Sequence, residues 1–443
     1  MVNTTHVPVG DRLGVRVRFG YALGSLSTGA FGTVPGLLLL PYLTDSLAVS
    51  ASVAGLLILL PKAWDVLFNP VAGRISDRST NRLGPRRPFL LAGGIALAVT
   101  FAALFAGPNT GSATADALYV AGVFLLCATA FAFFQVPYNA LPAELTADPT
   151  ERTRLTAWRI AILAVAILLS GAGAPAVRDA VGGIEGYRVM GIAVGVLILI
   201  GAIGVFVGTA RTPVRKPLPS VSSWRETAAA VRDCRPFRWL LTAFVLQSIG
   251  VGTLLAGVDY LGRVVLGEKG LQPILFAAFV GPALLVMPVW QRVAARLGKR
   301  TGYVVATVVF AVGILGLLGA RVLPVSVSIV CTAVAGIGYA GIQVFPLSML
   351  PDVISAEEER TGQIRAGLFA GVWTAGDTLG LALGPAFFGM IIAIGGYVSS
   401  AGTEVTQPSS AVTAIVLGVA LVPALFALAA LPLLRRKILE PTG

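Results

Sequence analysis

Charge is scarce in this chain of 443 residues: Asp, Glu, Lys and Arg together make up 12% of it. An ordinary soluble domain carries about 25%, so a water-soluble fold is excluded. Histidine is scarcer still, with His6 in the N-terminal tail as the single example and no role to assign to it. The three cysteines, Cys127, Cys234 and Cys331, fall in two apolar segments and one basic loop. Their spacing fits neither a disulfide framework nor a metal site. The N-terminus has no short apolar core with a small-residue cleavage site, so no signal peptide is expected. No Gly-rich stretch leads into Lys-Ser or Lys-Thr, which leaves no nucleotide-binding loop. Any work the chain does therefore draws on gradients, and no cofactor, metal or enzymatic activity is expected.

What is present is apolar surface. Hydrophobic residues reach 56% and mean hydropathy is +0.84. Segments of about 20 residues, enough to cross a bilayer as helices, fall near 17–44, 50–74, 88–107, 117–141, 154–177, 187–209, 237–262, 271–294, 302–322, 325–350, 363–394 and 410–434. The net charge of +12 is not a nucleic-acid signal, because its basic residues are scattered through short turns. Turns alternate sharply: one set, with both tails, holds 27 Lys and Arg and the other holds 5. By the positive-inside rule both termini are expected in the cytoplasm. Arginine outnumbers lysine 28 to 5 and small residues abound, the composition of a high-GC bacterium. A multi-pass protein of the inner (plasma) membrane is expected, in contact with lipid and monomeric.

The longest basic loop, 210–236, divides the chain into 1–209 and 237–443, with six spans each. A short surface helix near Trp224–Val231 and a solvated linker are both open readings of that loop. The two parts repeat one another. Gln135-Val136, Leu141-Pro142, Glu144 and Glu151-Arg152-Thr153 correspond to Gln343-Val344, Leu350-Pro351, Asp352 and Glu359-Arg360-Thr361. Arg82-Leu83-Gly84-Pro85-Arg86-Arg87 returns as Arg296-Leu297-Gly298-Lys299-Arg300. The fold expected is an all-α integral membrane protein of twelve helices, in two six-helix bundles related by a parallel pseudo-repeat. That architecture places a site near the midplane, between the halves.

Ionisable residues inside spans are expensive in hydrocarbon and functional by default. Lys62 and Asp65 lie three apart in the second span, close enough to neutralise one another as a static pair. Asp377, midway along the eleventh, has no basic neighbour one turn away; partnership with Lys62 across the cavity or proton exchange is expected. Arg159 either enters the cavity or snorkels to the headgroups. Gln135 and Gln343 are cavity residues or interhelical glue. Trp64 and Trp373 either face lipid or adjoin the cavity.

The turn Gly73-x-x-x-Asp77, continued through Arg82-x-Gly84-x-Arg86-Arg87, resembles the major facilitator signature between helices 2 and 3. With Trp64-Asp65-x-x-x-Asn69-Pro70-x-x-Gly73, Glu151-Arg152-Thr153-Arg154-Leu155 before Arg159, and Thr361-Gly362-Gln363, the chain resembles the glycoside-pentoside-hexuronide:cation symporters, melibiose permease among them. The resemblance implies gating at Gly73, Asp77, Arg82, Gly84, Arg86 and Arg87, with Glu144/Arg152 and Asp352/Arg360 as further gating pairs. It implies cation coupling at Asp65, Asn69 and Gln135, and substrate contact at Lys62, Trp64, Asn139, Arg159, Gln343, Trp373 and Asp377. Departures are clear. The second helix-2 carboxylate of the melibiose branch is Asn69 here, its helix-4 carboxylate is Gln135, and its stacking tryptophan falls near Asn139. A helix-1 carboxylate falls near Gly29, and a helix-11 lysine near Thr378.

The function this implies is alternating-access symport of a sugar-like or glycosylated small molecule, with a proton favoured over sodium as coupling ion. An exporter or flippase of amphiphilic lipids or natural products is the alternative, given how apolar the sugar positions have become. A non-transporting sensor on the same fold is a third, opposed by the gating motifs in both halves.

Overall fold

In hydrocarbon every backbone N–H and C=O needs a partner within the chain, so these spans have no option but to coil. The computed structural model describes residues 13–79, 81, 86–146, 148–210, 224–268, 270–362, 366–403 and 405–434. The first half comprises α1 (Val15–Pro41), α2 (Ala51–Asp77), α3 (Arg87–Leu104), α4 (Ala113–Leu145), α5 (Pro149–Val181) and α6 (Gly183–Thr209). A connecting helix α7 (Trp224–Asp233) lies in the central loop, where the sequence left a surface helix and a linker open. The second half has α8 (Arg235–Tyr260), α9 (Leu271–Leu285), α10 (Met287–Leu297), α11 (Lys299–Gly316), α12 (Val325–Thr361), α13 (Ala366–Ile394), α14 (Ser409–Val416) and α15 (Val422–Ala429).

Among the described residues eleven helices are long and apolar enough to cross a membrane. The twelfth is α9 with α10, bent by 49° at the break. Each half thus supplies six spans, as its sequence predicts. Successive spans alternate in direction, so one face of the bundle gathers the described parts of the basic turns, the start of α1 and the end of the last span. We call it the basic face and its opposite the far face.

At the far face α1 and α8, the opening helices of the two halves, each end in a widened π-turn, Tyr42–Ser46 and Leu261–Val265. Such turns re-aim side chains and recur at functional positions. Here they bring Asp45 of one half against Arg263 of the other. Arg263 also holds Asp259 at 2.8 Å, Arg178 spans from Asp259 at 2.9 Å to Asp179 at 2.6 Å, and Tyr397 donates to Asp45 at 2.8 Å. The hydroxyls of Thr44 and Tyr260 meet at 2.7 Å. Three carboxylates and two guanidinium groups are thereby knitted across the junction, with Asp259 fully buried. Every described hydrogen bond or ion pair between the halves lies at this face. Just beneath it α2 crosses α13 so closely that a Cβ on Gly55 would sit 2.8 Å from the Pro385 carbonyl oxygen, and one on Gly389 would strike Ala51.

The basic face is braced within each half instead. Arg86 donates to Glu144 at 2.7 Å and to Ser76 Oγ at 2.6 Å, and both members of the ion pair are buried. In the second half Lys299 binds Asp352 at 2.6 Å and the Ser348 carbonyl at 2.9 Å. These bridges occupy repeat-related positions, Arg86 with Lys299 and Glu144 with Asp352. The pairings expected from sequence differ. Arg152 donates to the Thr146 carbonyl rather than to Glu144, because α4 ends at Leu145 and the chain turns before α5. Arg360 binds Glu357 rather than Asp352, because α12 runs unbroken to Thr361 and puts Glu357 one turn away. Arg82 and Gly84 lie outside the described residues. Asp77 ends α2, and a Cβ on Gly73 would meet Val136 only at ordinary contact distance.

Candidate substrate and coupling site

Midway along α2, between Pro61 and Pro70, the helix carries its polar residues on the side turned to the junction of the halves. Proline has no N–H to give, so Pro70 leaves the Val66 carbonyl without its usual intrahelical donor. Asp65 and Asn69 are four apart, as are Gln135 and Asn139 on α4, so each pair shares one helix face. Together with Val66, Pro70 and Val136 they form one wall of a cavity of about 460 Å³. The opposite wall is α13 alone: Gly367, Leu368, Gly371, Val372, Thr374, Ala375 and Thr378.

The two walls differ in chemistry. The first half presents a carboxylate and three amides; the second presents glycine, aliphatic groups and two threonine hydroxyls. Asp65 is 3% exposed, yet its Oδ1 has no hydrogen-bond partner among the described residues, and neither has Asn69 Oδ1. A buried polar oxygen left unpaired costs about 1–3 kcal/mol and more when charged. Two of them stand one turn apart on the cavity wall, facing it without a partner among the described residues.

Arg159 stands beside this wall. Its guanidinium lies 4.7 Å from the Tyr138 ring centroid, donates to Asn139 Oδ1 at 2.7 Å and reaches the Tyr21 hydroxyl at 3.4 Å. It thus orients Asn139, a cavity residue, and does not simply extend to the headgroups.

Other expected members are held elsewhere. Asp377 accepts from Ser248 Oγ at 2.9 Å and makes no pair with Lys62. Trp373 is buried against α8, stacked 4.5 Å from Phe244, because its position on α13 faces that helix and not the junction. Trp64 is 38% exposed on the outer surface, donating to Thr129 Oγ1 at 3.0 Å and stacked on Phe68. Gln343 donates to the Tyr339 hydroxyl at 3.2 Å within its own helix. Lys62 rests its ammonium against an aromatic ring, Nζ 4.4 Å from the centroid of Phe31. Among the described residues no carboxylate oxygen lies within 4 Å of it, so the static pair with Asp65 is not formed.

The sequence pattern of the family described as "MFS/sugar transport protein" matches residues 20–440. The chain belongs to that family. Membership makes it a membrane transporter and not an enzyme, and it accounts for the paired six-helix halves and the cavity between them. The chain is 28% identical over 427 residues to YagG of Escherichia coli, a candidate glycoside/cation symporter, covering 93% of this chain and 89% of the relative. It is 25% identical to the isoprimeverose transporter of Lactiplantibacillus pentosus, covering 96% and 89%. In three dimensions it superposes on the nucleoside transporter NupG with a TM-score of 0.64 at 14% identity, covering 94% and 98% of the two chains. That likeness speaks for the fold alone.

Some of what matters here had no signature in the sequence. The charged members of the far-face cluster lie up to 218 positions apart, each resembling an ordinary interfacial charge. The Val66 carbonyl was signalled only by Pro70.

The buried Arg86–Glu144 bridge yields a first expectation. Glu144→Gln removes the charge that Arg86 holds, and losing one partner of a buried pair costs about 3–5 kcal/mol. Because neither partner lines the cavity, turnover should fall by about tenfold or more while substrate affinity stays nearly constant, as expected when a conformational step is touched. Loss of affinity at normal turnover would overturn this role.

Proposed function

We propose that this transporter is a cation-coupled symporter of glycosides, with Asp65 as the coupling residue and the proton as coupling ion. One observation carries the reading: the Asp65 carboxylate on the wall of the inter-half cavity, with its buried Oδ1 lacking a partner among the described residues. Among the described residues it is the only charged side chain lining that cavity; Asp377 is turned to Ser248. Sodium needs several hard oxygen ligands with compensating charge; one carboxylate with neutral carbonyl neighbours suits a proton better. The polar wall of α2 and α4 receives the sugar hydroxyls. The apolar wall of α13 leaves room for a second, less polar moiety. The volume falls within the range of about 300–1,000 Å³ usual for small-molecule sites.

The test is uptake into proteoliposomes of p-nitrophenyl β-glucuronide, isoprimeverose and a lysolipid, each with an imposed proton gradient and with sodium present or absent. Glycoside accumulation that follows the proton gradient without sodium is expected. Collapse without sodium, with indifference to the proton gradient, makes Asn69 a working ligand instead. Lysolipid movement without glycoside uptake favours the amphiphile reading.

We propose the orientation that the charge of the turns favours, with the basic face in the cytoplasm and the far face, tied by its ion pairs, on the periplasmic side. Reporter fusions at residues 180 and 402 should read periplasmic, and those at 222 and 440 cytoplasmic. A cytoplasmic signal at 180 breaks this arrangement.

A further inference from the structure

Lys62 is an ionisable group that the coupling scheme leaves without a task. It sits one turn before Asp65 on α2, within reach of it by spacing, but its ammonium rests on aromatic faces. Nζ lies 4.4 Å from the centroid of Phe31 on α1 and 6.0 Å from that of Phe131 on α4. Both rings are buried and stand 4.2 Å apart, centroid to centroid. Aromatic faces attract cations, and more strongly where water is excluded, so this is a resting place for the charge. The Asp65 Oδ1 that the lysine does not reach is buried and unpartnered. The ionisable neighbours are few. α4 offers the buried Cys127, and α13 offers Asp377, already bonded to Ser248. Between Tyr21 and Tyr42, α1 has no ionisable side chain.

We infer that Lys62 is a tethered stand-in for the coupling cation, parked on Phe31 and Phe131 while Asp65 is loaded and swung onto the Asp65 carboxylate when it is empty. This rests on the reading of Asp65 as coupling residue. An alternating-access carrier must reset empty, passing through a state closed on both sides. A bare carboxylate in that state is an isolated buried charge, which hydrocarbon surroundings strongly disfavour. A lysine with four rotatable methylenes, one turn away, can neutralise it without leaving the helix. A proton on Asp65 removes the attraction and a metal cation there repels the ammonium, so in either case the lysine returns to the rings. Lys62 is thus a positioning residue for the reset and not a substrate ligand.

The experiment needs no substrate. Dyes at the exposed far-face positions Asn109 and Thr403, one on each half, report opening and closing by single-molecule energy transfer in sugar-free, sodium-free nanodiscs at alkaline pH. Wild type should exchange between states, while Lys62→Met or Lys62→Gln should slow exchange by about tenfold or more, as a lone charge is carried through the closed state. Lys62→Arg should retain exchange, and adding Asp65→Asn to Lys62→Met should restore it, because no charge then needs a partner. Exchange at the wild-type rate in both neutral variants overturns the proposal. So does slow exchange that Asp65→Asn fails to restore, since that marks a packing role. Glycoside uptake is read separately: exchange behaving as described, with no glycoside accumulated, keeps the tether and removes the sugar assignment.

Discussion

Asp65→Asn should abolish accumulation against a gradient and leave substrate exchange intact. The amide keeps the shape of the carboxyl group and its hydrogen-bonding reach, so the polar wall with Asn69, Gln135 and Asn139 survives. It cannot bind and release a proton. A carrier without a coupling ion only equilibrates its substrate, so the ratio of internal to external sugar should fall to about one, whatever the imposed gradient. Counterflow, in which loaded carriers trade labelled for unlabelled sugar, should continue within about threefold of the wild-type rate, since the charge is lost without loss of shape. Loss of counterflow together with accumulation would make Asp65 a substrate ligand and not a coupling residue. Persistence of accumulation would remove it from coupling altogether.

Arg263→Gln should open the far face. In the structure this guanidinium is shared by Asp259, which is fully buried, and Asp45, which lies on the other half. Without it three carboxylates remain with Arg178 as their one cation. Breaking a buried pair from one side costs about 3–5 kcal/mol, and the far-closed state bears that cost, because opening lets water reach the stranded groups. The closed-to-open ratio should therefore shift by about two to three and a half orders of magnitude, enough to make the far-open state dominate in a carrier poised near even. Spin labels at Asn109 and Thr403 report this as a move to longer distances. Arg263→Lys, which keeps the charge but not the forked geometry, should shift the ratio less. An unchanged distance distribution in Arg263→Gln would show that the apolar contacts around Tyr260 seal this face without help from the ions.

The spans were legible because hydropathy writes them directly, and the pairing of halves because Glu144 and Asp352, or Arg86 and Lys299, return at matching places. Asp65 was legible as an ionisable residue inside an apolar span, while Asn69, Gln135 and Asn139 came only through the family resemblance. That they share one wall follows from the four-residue spacing within α2 and within α4 and from the packing of the two helices. The tryptophans were not legible: Trp64 and Trp373 neighbour cavity residues in sequence, but one step along a helix turns a side chain by about 100°. That step sends Trp64 to the outer surface and Trp373 onto Phe244. Lys62 and Asp65 have the spacing of an ion pair, and only the position of two phenylalanines on other helices decides against it. The partners of Arg152 and Arg360 depended on where α4 stops and α12 does not, a boundary that apolar content alone does not mark.

The contact of α2 with α13 at Gly55 and Gly389 has a mechanical consequence. Backbone meets backbone there with no side chain between, so the crossing can rotate with little repacking. It lies one turn from the far end of α2, and the rest of that helix, as far as Asp77, forms the long arm of a lever. At ~1.5 Å per residue the arm is about 33 Å, so a tilt of ~10° sweeps its basic end through about 6 Å. The short arm moves by only about one ångström for the same tilt. Asp65 lies near the middle of the arm and feels about half the sweep. A bulky residue at Gly55 would push the pivot apart and reduce the angle available to the whole stroke.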